Sequence, residues 1–257
     1  MNKTIIEMLI GTLLGDAHIR RTGLNKAFIS FEQSSKKIDY INFLHKLIKE
    51  EGRLPLMEEN LKEYLRGDSR YQSMNKSLYF RTQSLEELKP MADLFLNEEG
   101  KKVVPTNIAD HLTPRSLAFW IMDDGQRVNR GGVTLCTDSY NKEEVNILRE
   151  ALRKNFNLET TIHNKKGPND ALYERIYIKK DDFEEFKPSL ISHMHESMLY
   201  KINVPFGAPG LGPLRFSFGG LPLLLLPKEE SRRKARRPGG RNKNKTRFLL
   251  RTRNSKW

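Results

Sequence analysis

Two stretches of the chain repeat one another, and the repeat restricts its architecture more than any other feature. LIGTLLGDAH (residues 9–18) and LAFWIMDDGQ (117–126) each run an apolar segment straight into carboxylates. The segments after them also repeat, in the same order. KAFISFEQSS (26–35) alternates like a strand, and residues 36–51 place Ile38, Ile41, Phe43, Leu44, Leu47 and Ile48 at helical spacing. After Asp124, the strand-like GGVTLCTDS (131–139) precedes NKEEVNILREALRKNF (141–156), where Val145, Leu148, Leu152 and Phe156 mark one helical face. SLYFRTQSLEELKPMADLF (77–95) then matches RIYIKKDDFEEFKPSLISH (175–193). Each is an alternating strand, an acidic helix start and a Lys-Pro pair, Lys89-Pro90 and Lys187-Pro188. The chain therefore reads as an α+β protein of two αββαββα units. We assign residues 1–100 to the first repeat, 101–116 to a linker with Pro105 and Pro114, and 117–205 to the second repeat. Residues 206–257 belong to neither: they are Gly/Pro-rich, then basic, and are expected to be disordered.

A repeat within one chain implies pseudo-twofold pairing of its halves. The natural seam is the segment that is apolar on most faces and has small residues for close approach. Ile10, Leu13 and Leu14 with Gly11 and Gly15 suit this role in the first unit, and Leu117, Ala118, Trp120, Ile121 and Met122 in the second. Side by side, the two helices bring Asp16 and Asp124 together on the axis. Two like charges at helix C-termini are unfavourable through mutual repulsion and the helix dipole. A divalent cation reverses that sign. Hard oxygen ligands with room for water and phosphate suit Mg²⁺, which can assist in-line attack on a phosphodiester.

Charge and cysteine content narrow the setting. The net charge of +13 is concentrated at one end: Lys228 to Trp257 holds thirteen Lys/Arg and two acids, against 32 and 30 elsewhere. The body is close to neutral, so a nucleic-acid surface requires opposite faces of unlike charge. Cys136 is the only cysteine, which excludes an intramolecular disulfide and a cysteine-based zinc site. The N-terminus has neither a signal-peptide nor a transit-peptide pattern, and Leu221 to Leu226 is far too short to span a bilayer. A soluble protein with no membrane partner is expected.

The two segments resemble the paired nine-residue motifs of the LAGLIDADG homing endonucleases. The motif's last acid falls on Asp16 and on Asp124, with Asp123 one place earlier. LIGTLLGDAHIR, KKVVPTNI, LTPRSLAFWIMDDG and ESMLYKINVP are most similar to the single-chain, I-SceI-like branch, in colinear order over residues 5 to 205. The resemblance implies a β-saddle over double-stranded DNA with a central pair of LAGLIDADG helices, and metal-dependent cleavage of both strands of a long target. It implies Mg²⁺ as cofactor, with Mn²⁺ as a substitute, and a metal-binding set of Asp16 and Asp124 adjoined by Ala17 and Asp123. It further implies one supporting lysine in each half, at Lys102 and Lys201, with Lys101 leaving the first assignment open by one residue. Two places depart from the motif: Phe119 stands where the first copy has Gly11, and Asp123 where it has Gly15. Asp123 is thus open to a supporting role rather than a ligand's.

A saddle would read the major groove with alternate residues of each strand. Tyr79 and Arg81 alternate with Leu78 and Phe80; Arg175, Tyr177 and Lys179 alternate with Ile176 and Ile178. Arg20, Arg21, Arg127 and Arg130 come directly after the motif acids. These nine residues form the expected DNA contact set. The leading reading is a monomeric, site-specific DNA endonuclease of mitochondrial or chloroplast origin by resemblance. An RNA maturase acting on its host intron is the alternative, and a transcriptional regulator without an evident helix-turn-helix ranks third.

Overall fold

A computed structural model describes residues 1–68, 73–167 and 171–205. The tail at 206–257, expected to be disordered, lies outside the described residues. The two units are present in the expected order. In the first, α1 (Lys3–Leu14) leads into β1 (His18–Arg21), β2 (Ala27–Ser34), α2 (Ile38–Lys46), β3 (Lys62–Asp68), β4 (Ser73–Arg81) and α3 (Lys89–Phe95). In the second, α4 (Pro114–Asp124) is followed by β5 (Gly125–Arg127), β6 (Val133–Leu135), α5 (Lys142–Phe156), β7 (Thr160–Lys166), β8 (Leu172–Ile178) and α6 (Lys180–Ile191). Each unit builds one antiparallel four-stranded sheet with the same order, β1-β2-β4-β3 and β5-β6-β8-β7.

Helices α1 and α4 form the seam, and their sequences explain why. In α1, Ile5 and every residue from Met8 to Leu14 are buried; in α4, so is every residue from Ser116 to Asp123. A helix apolar on all sides needs neighbours on all sides. Both starts are capped. The Asn2 side chain accepts from Ile5 N at 2.9 Å, and Thr113 with Ser116 forms a capping box ahead of Pro114. The helices meet backbone to backbone at Gly11, where a Cβ would lie 2.2 Å from Ser116 O and 2.7 Å from Phe119 Cβ. Phe119, one of the two departures between the motifs, therefore fills the space that its counterpart Gly11 leaves. Glycine is required at position 11 by approach distance, not by backbone dihedrals.

The segment read as a linker is firmly held. Glu144 Oε1 accepts from Val104 N at 2.9 Å, and Asn155 Nδ2 donates to Ala109 O at 2.6 Å and Leu112 O at 2.8 Å. A 3-10 turn spans Ile108–Asp110, and α4 already begins at Pro114, inside the segment. The helix expected over residues 36–51 is also composite. A 3-10 turn (Ser35–Lys37) opens it and a π turn (Leu47–Glu51) closes it. The matched Lys-Pro pairs diverge in setting: Pro90 lies in the first turn of α3, whereas Pro188 sits inside α6. Among the described residues no helix is long and apolar enough to cross a membrane.

Candidate active site

Asp16 and Asp124 stand at the C-terminal ends of α1 and α4, both half-buried. Gln33 ties the first acid to its surroundings. It occupies the inward row of β2 with Ala27, Ile29 and Phe31, where a polar side chain must find partners. Its Nε2 donates to Asp16 Oδ2 at 2.8 Å and to Asp123 Oδ1 at 3.2 Å, while its Oε1 accepts from Lys37 Nζ at 2.8 Å. Tyr40, wholly buried on α2, donates its hydroxyl to Asp123 Oδ1 at 2.8 Å. Asp123 Oδ2 accepts the backbone N–H of Asp16 at 3.2 Å. Tyr140 adds a further bond across the seam, its hydroxyl donating to Leu14 O at 2.8 Å.

The two lysines take equivalent places. Lys102 Nζ donates to Gly15 O at 2.9 Å and Ala17 O at 3.2 Å. Lys201 Nζ donates to Met122 O at 2.6 Å and Asp123 O at 2.7 Å. Each ammonium thus satisfies the orphan carbonyls that end its own motif helix, the favourable pole for a cation. Lys101 is exposed beside Lys102, so the side chain that reaches the backbone on either side of Asp16 is that of Lys102. The Ala17 carbonyl is engaged by this lysine. His18 is exposed, with Nδ1 2.9 Å from Asp16 O.

Burial and crowding shape the electrostatics. Burial, then the charge of Asp16, pushes the Asp124 carboxyl up to about 7, against the opposing pull of Lys102, Lys201 and Lys37. Burial raises Asp123 well above the usual carboxylate range, with Asp16 and Asp124 adding to it. Lys201 is lowered to about 8, by burial first and Lys37 second, and burial also lowers Lys102. Carboxylates destabilised first by burial and then by one another's charge are what a divalent cation relieves, so the donor set fits a hard metal ion. Among the described residues no three His, Cys, Asp or Glu side chains form a metal cage. Water and phosphate oxygens would have to complete the shell around Asp16 and Asp124. Asp123 is placed differently from a ligand: it is 6% exposed and its oxygens already accept from three protein donors.

Register sorts the expected DNA contacts. On the first sheet His18, Ser30 and Arg81 share one cross-strand row, and Glu32, Tyr79 and Lys62 the next; Ile19 opposes Ile29, and Phe31 opposes Phe80, on the packed side. Arg20 is exposed on the open side with His18, and Arg81 lies over the Phe28 ring, Cζ 4.9 Å from its centroid. Arg21 is placed differently from Arg20. It shares the inward parity of Ile19, and its guanidinium is taken up by the C-terminus of α3, donating to Ala92 O and Asn97 O at 3.1 Å and pairing with Asp93 at 3.4 Å.

On the second sheet Gln126, Thr134, Tyr177 and Thr161 form the open row, with Arg175 opposite His163. Asp138 grips Arg175 in a two-pronged pair, Nε to Oδ1 at 2.6 Å and Nη2 to Oδ2 at 2.5 Å, and Gln126 Oε1 lies 3.2 Å from Nη1. Tyr177 stacks on His163 and donates to Gly131 O at 3.1 Å. Arg127 ends β5 in register with Val133, on the packed row, yet remains exposed with Nη2 3.3 Å from Asn129 Oδ1. Arg130, in the next turn, and Lys179, just after β8, are exposed. The acidic pairs at 50–51, 58–59, 86–87 and 184–185 all lie outside the strands. Sequence reasoning missed Gln33, Lys37, Tyr40 and Tyr140. The signal for Gln33 was a polar residue in an otherwise apolar alternating row.

Comparison with known proteins agrees with this geometry. The profile of the LAGLIDADG DNA endonuclease family matches residues 6–186. Probable intron-encoded endonuclease 1 of Wickerhamomyces canadensis is 30% identical over 216 residues, covering 79% of this chain and 87% of the relative. Cytochrome b mRNA maturase bI2 of Debaryomyces hansenii is 30% identical over 204 residues, covering 79% and 74%. Among solved structures, the homing endonuclease I-WcaI bound to its DNA recognition sequence superposes with a TM-score of 0.67 at 27% identity, covering 78% of this chain and 86% of that one. Two motif helices ending in paired acids, two sheets of one topology and a profile match over most of the sequence converge: the chain belongs to the LAGLIDADG DNA endonuclease family.

Proposed function

We propose that this protein is a site-specific homing endonuclease that hydrolyses a phosphodiester on each strand of a long DNA target, using Mg²⁺ or, in its place, Mn²⁺. The convergence of Asp16 and Asp124 at the ends of the paired helices supports this reading most directly. These two carboxylates would hold the cation, with the Ala17 carbonyl nearby. Bound there, it supplies an activated water and neutralises charge on the scissile phosphate. Lys102 and Lys201 flank the acids with amines that burial lowers, Lys201 to about 8, where its Nζ can hold or release a proton near neutral pH. Arg20, Tyr79, Arg81, Arg127, Arg130, Arg175, Tyr177 and Lys179 are the residues proposed to meet DNA, the arginines and lysines at phosphates or base edges. One chain supplies both halves, so a monomer suffices.

A second activity on RNA has specific support, because a relative at 30% identity is an mRNA maturase. The host intron would then be a partner as well, in an organellar compartment. One experiment separates the readings: selection of cleaved sites from a randomised duplex library with Mg²⁺, using wild type, Asp16→Asn and Asp124→Asn. A single enriched site cut by wild type and by neither variant supports the endonuclease. Cleavage retained by both variants would sink the proposed site, and tight intron-RNA binding without cleavage would favour the maturase.

A further inference from the structure

Asp123 occupies the place in the second motif that Gly15 fills in the first. The exchange is spatial as well as sequential. A Cβ built on Gly15 would lie 2.5 Å from Asp123 Cβ and 2.7 Å from its Oδ2. The missing side chain of one half makes the room that the carboxylate of the other occupies. The donors to that carboxylate come from the first half: the Asp16 backbone N–H, the Tyr40 hydroxyl and Gln33 Nε2. Lys37 fixes the Gln33 amide by donating to its oxygen, which turns the amide nitrogen towards both acids.

Burying a carboxylate is costly, and an apolar residue of similar size would fill the space with less penalty. What a carboxylate adds is acceptor capacity aimed at Asp16. It engages Asp16 directly through the backbone N–H and indirectly through Gln33, whose Nε2 is shared with the Asp16 side chain. Lys201 secures the other side, donating to the backbone carbonyl of Asp123. The residue is therefore fixed from both halves while making no open contact of its own.

We propose that Asp123 is a positioning residue of the active site: the second half lends a buried carboxylate that holds the first half's Asp16 in place for the divalent cation. The inference rests on the metal reading above and goes beyond it. It is tested by counting Mn²⁺ bound by the protein on its cleaved target duplex, by electron paramagnetic resonance. Cleavage rate, affinity for uncut target in EDTA and thermal midpoint are measured beside it. Asp123→Asn keeps the shape but turns an amide against one of the three donors. It is expected to weaken Mn²⁺ binding and slow cleavage by about 10- to 100-fold each, while DNA affinity in EDTA stays unchanged and the thermal midpoint falls only by the small amount that one opposed donor costs. Gly15→Ala, which retains every ligand and donor, should shift Mn²⁺ binding in the same direction by displacing Asp123. Unchanged Mn²⁺ binding in Asp123→Asn overturns the proposal. So does a loss of DNA affinity and thermal midpoint in step with cleavage, because the carboxylate would then only join the halves. Wild type that binds no Mn²⁺ sinks the metal reading and this role with it; failure of the variant alone leaves the metal reading standing.

Discussion

Gly11 and Phe119 hold matching positions in the two motifs and meet across the seam, where a glycine Cβ would stand 2.7 Å from Phe119 Cβ and 2.2 Å from the Ser116 carbonyl oxygen. The nearer of these neighbours is backbone, which cannot rotate away. Gly11→Ala is expected to cost about 1 to 3 kcal/mol through overpacking. Thermal unfolding would report it as a drop of roughly 2–4 °C per kcal/mol. An unchanged midpoint would mean that the helices separate more easily than this contact allows.

The acid–base balance of Asp124 and Lys201 gives a pH signature. Burial and then the charge of Asp16 push the Asp124 carboxyl up to about 7 in the folded chain, against about 3.9 when unfolded. The folded state therefore binds a proton more tightly than the unfolded one between those values. Its contribution to stability is fully present below pH 4 and is lost as pH rises through 7. Lys201, lowered to about 8, works in a different window: it disfavours folding below pH 8, and that penalty fades between pH 8 and its unfolded value of about 10.4. Added Mg²⁺ should raise the thermal midpoint at pH 8 more than at pH 5. Equal shifts at both would show that Asp124 does not carry the coupling.

Lys102 and Lys201 each serve the carbonyl end of one motif helix. Lys102→Met and Lys201→Met should therefore slow opposite strands, each by about 10²- to 10⁴-fold if the amine handles a proton. Duplex labelled separately on its two strands reads this directly. Both variants slowing the same strand would contradict the assignment of one lysine to each half.

Register parity predicts contrasting arginines. Arg20→Ala, on the open side of β1, should weaken DNA binding and lower the slope of log affinity against log salt by about one. Arg21→Ala should leave that slope untouched and instead lower stability by on the order of 1 kcal/mol, through the exposed end of α3. Fluorescence anisotropy across a salt series with parallel unfolding curves separates the two. A lowered salt slope for Arg21→Ala would return it to the DNA face.

The parts legible in the sequence are those that repetition or local periodicity encodes. Leu117 to Met122 and Leu9 to Leu14 mark the seam because they are apolar all round, and the fold order comes from the doubled pattern. Asp123 was harder to place, since its donors Tyr40 and Gln33 come from the other half and only folding brings them near. For Arg21 the signal that separates it from Arg20 is present in the sequence: in HIRR the buried Ile19 fixes the parity, and Arg21 shares it. The firmness of the segment at 101–116 was also hidden, because Glu144 and Asn155 reach it from α5.

Glycines on α1 facing Phe119 and Asp123 on α4 have a consequence for how the halves could ever be separated. Two copies of the first half would leave voids where Gly11 and Gly15 faced each other, and two copies of the second would collide at Phe119 and set one Asp123 against another. Each half has become a partner fitted to the other and no longer to itself. Homodimers from either half alone are thereby disfavoured, and division of the chain would yield an obligate heterodimer whose first half must keep the linker that carries Lys102.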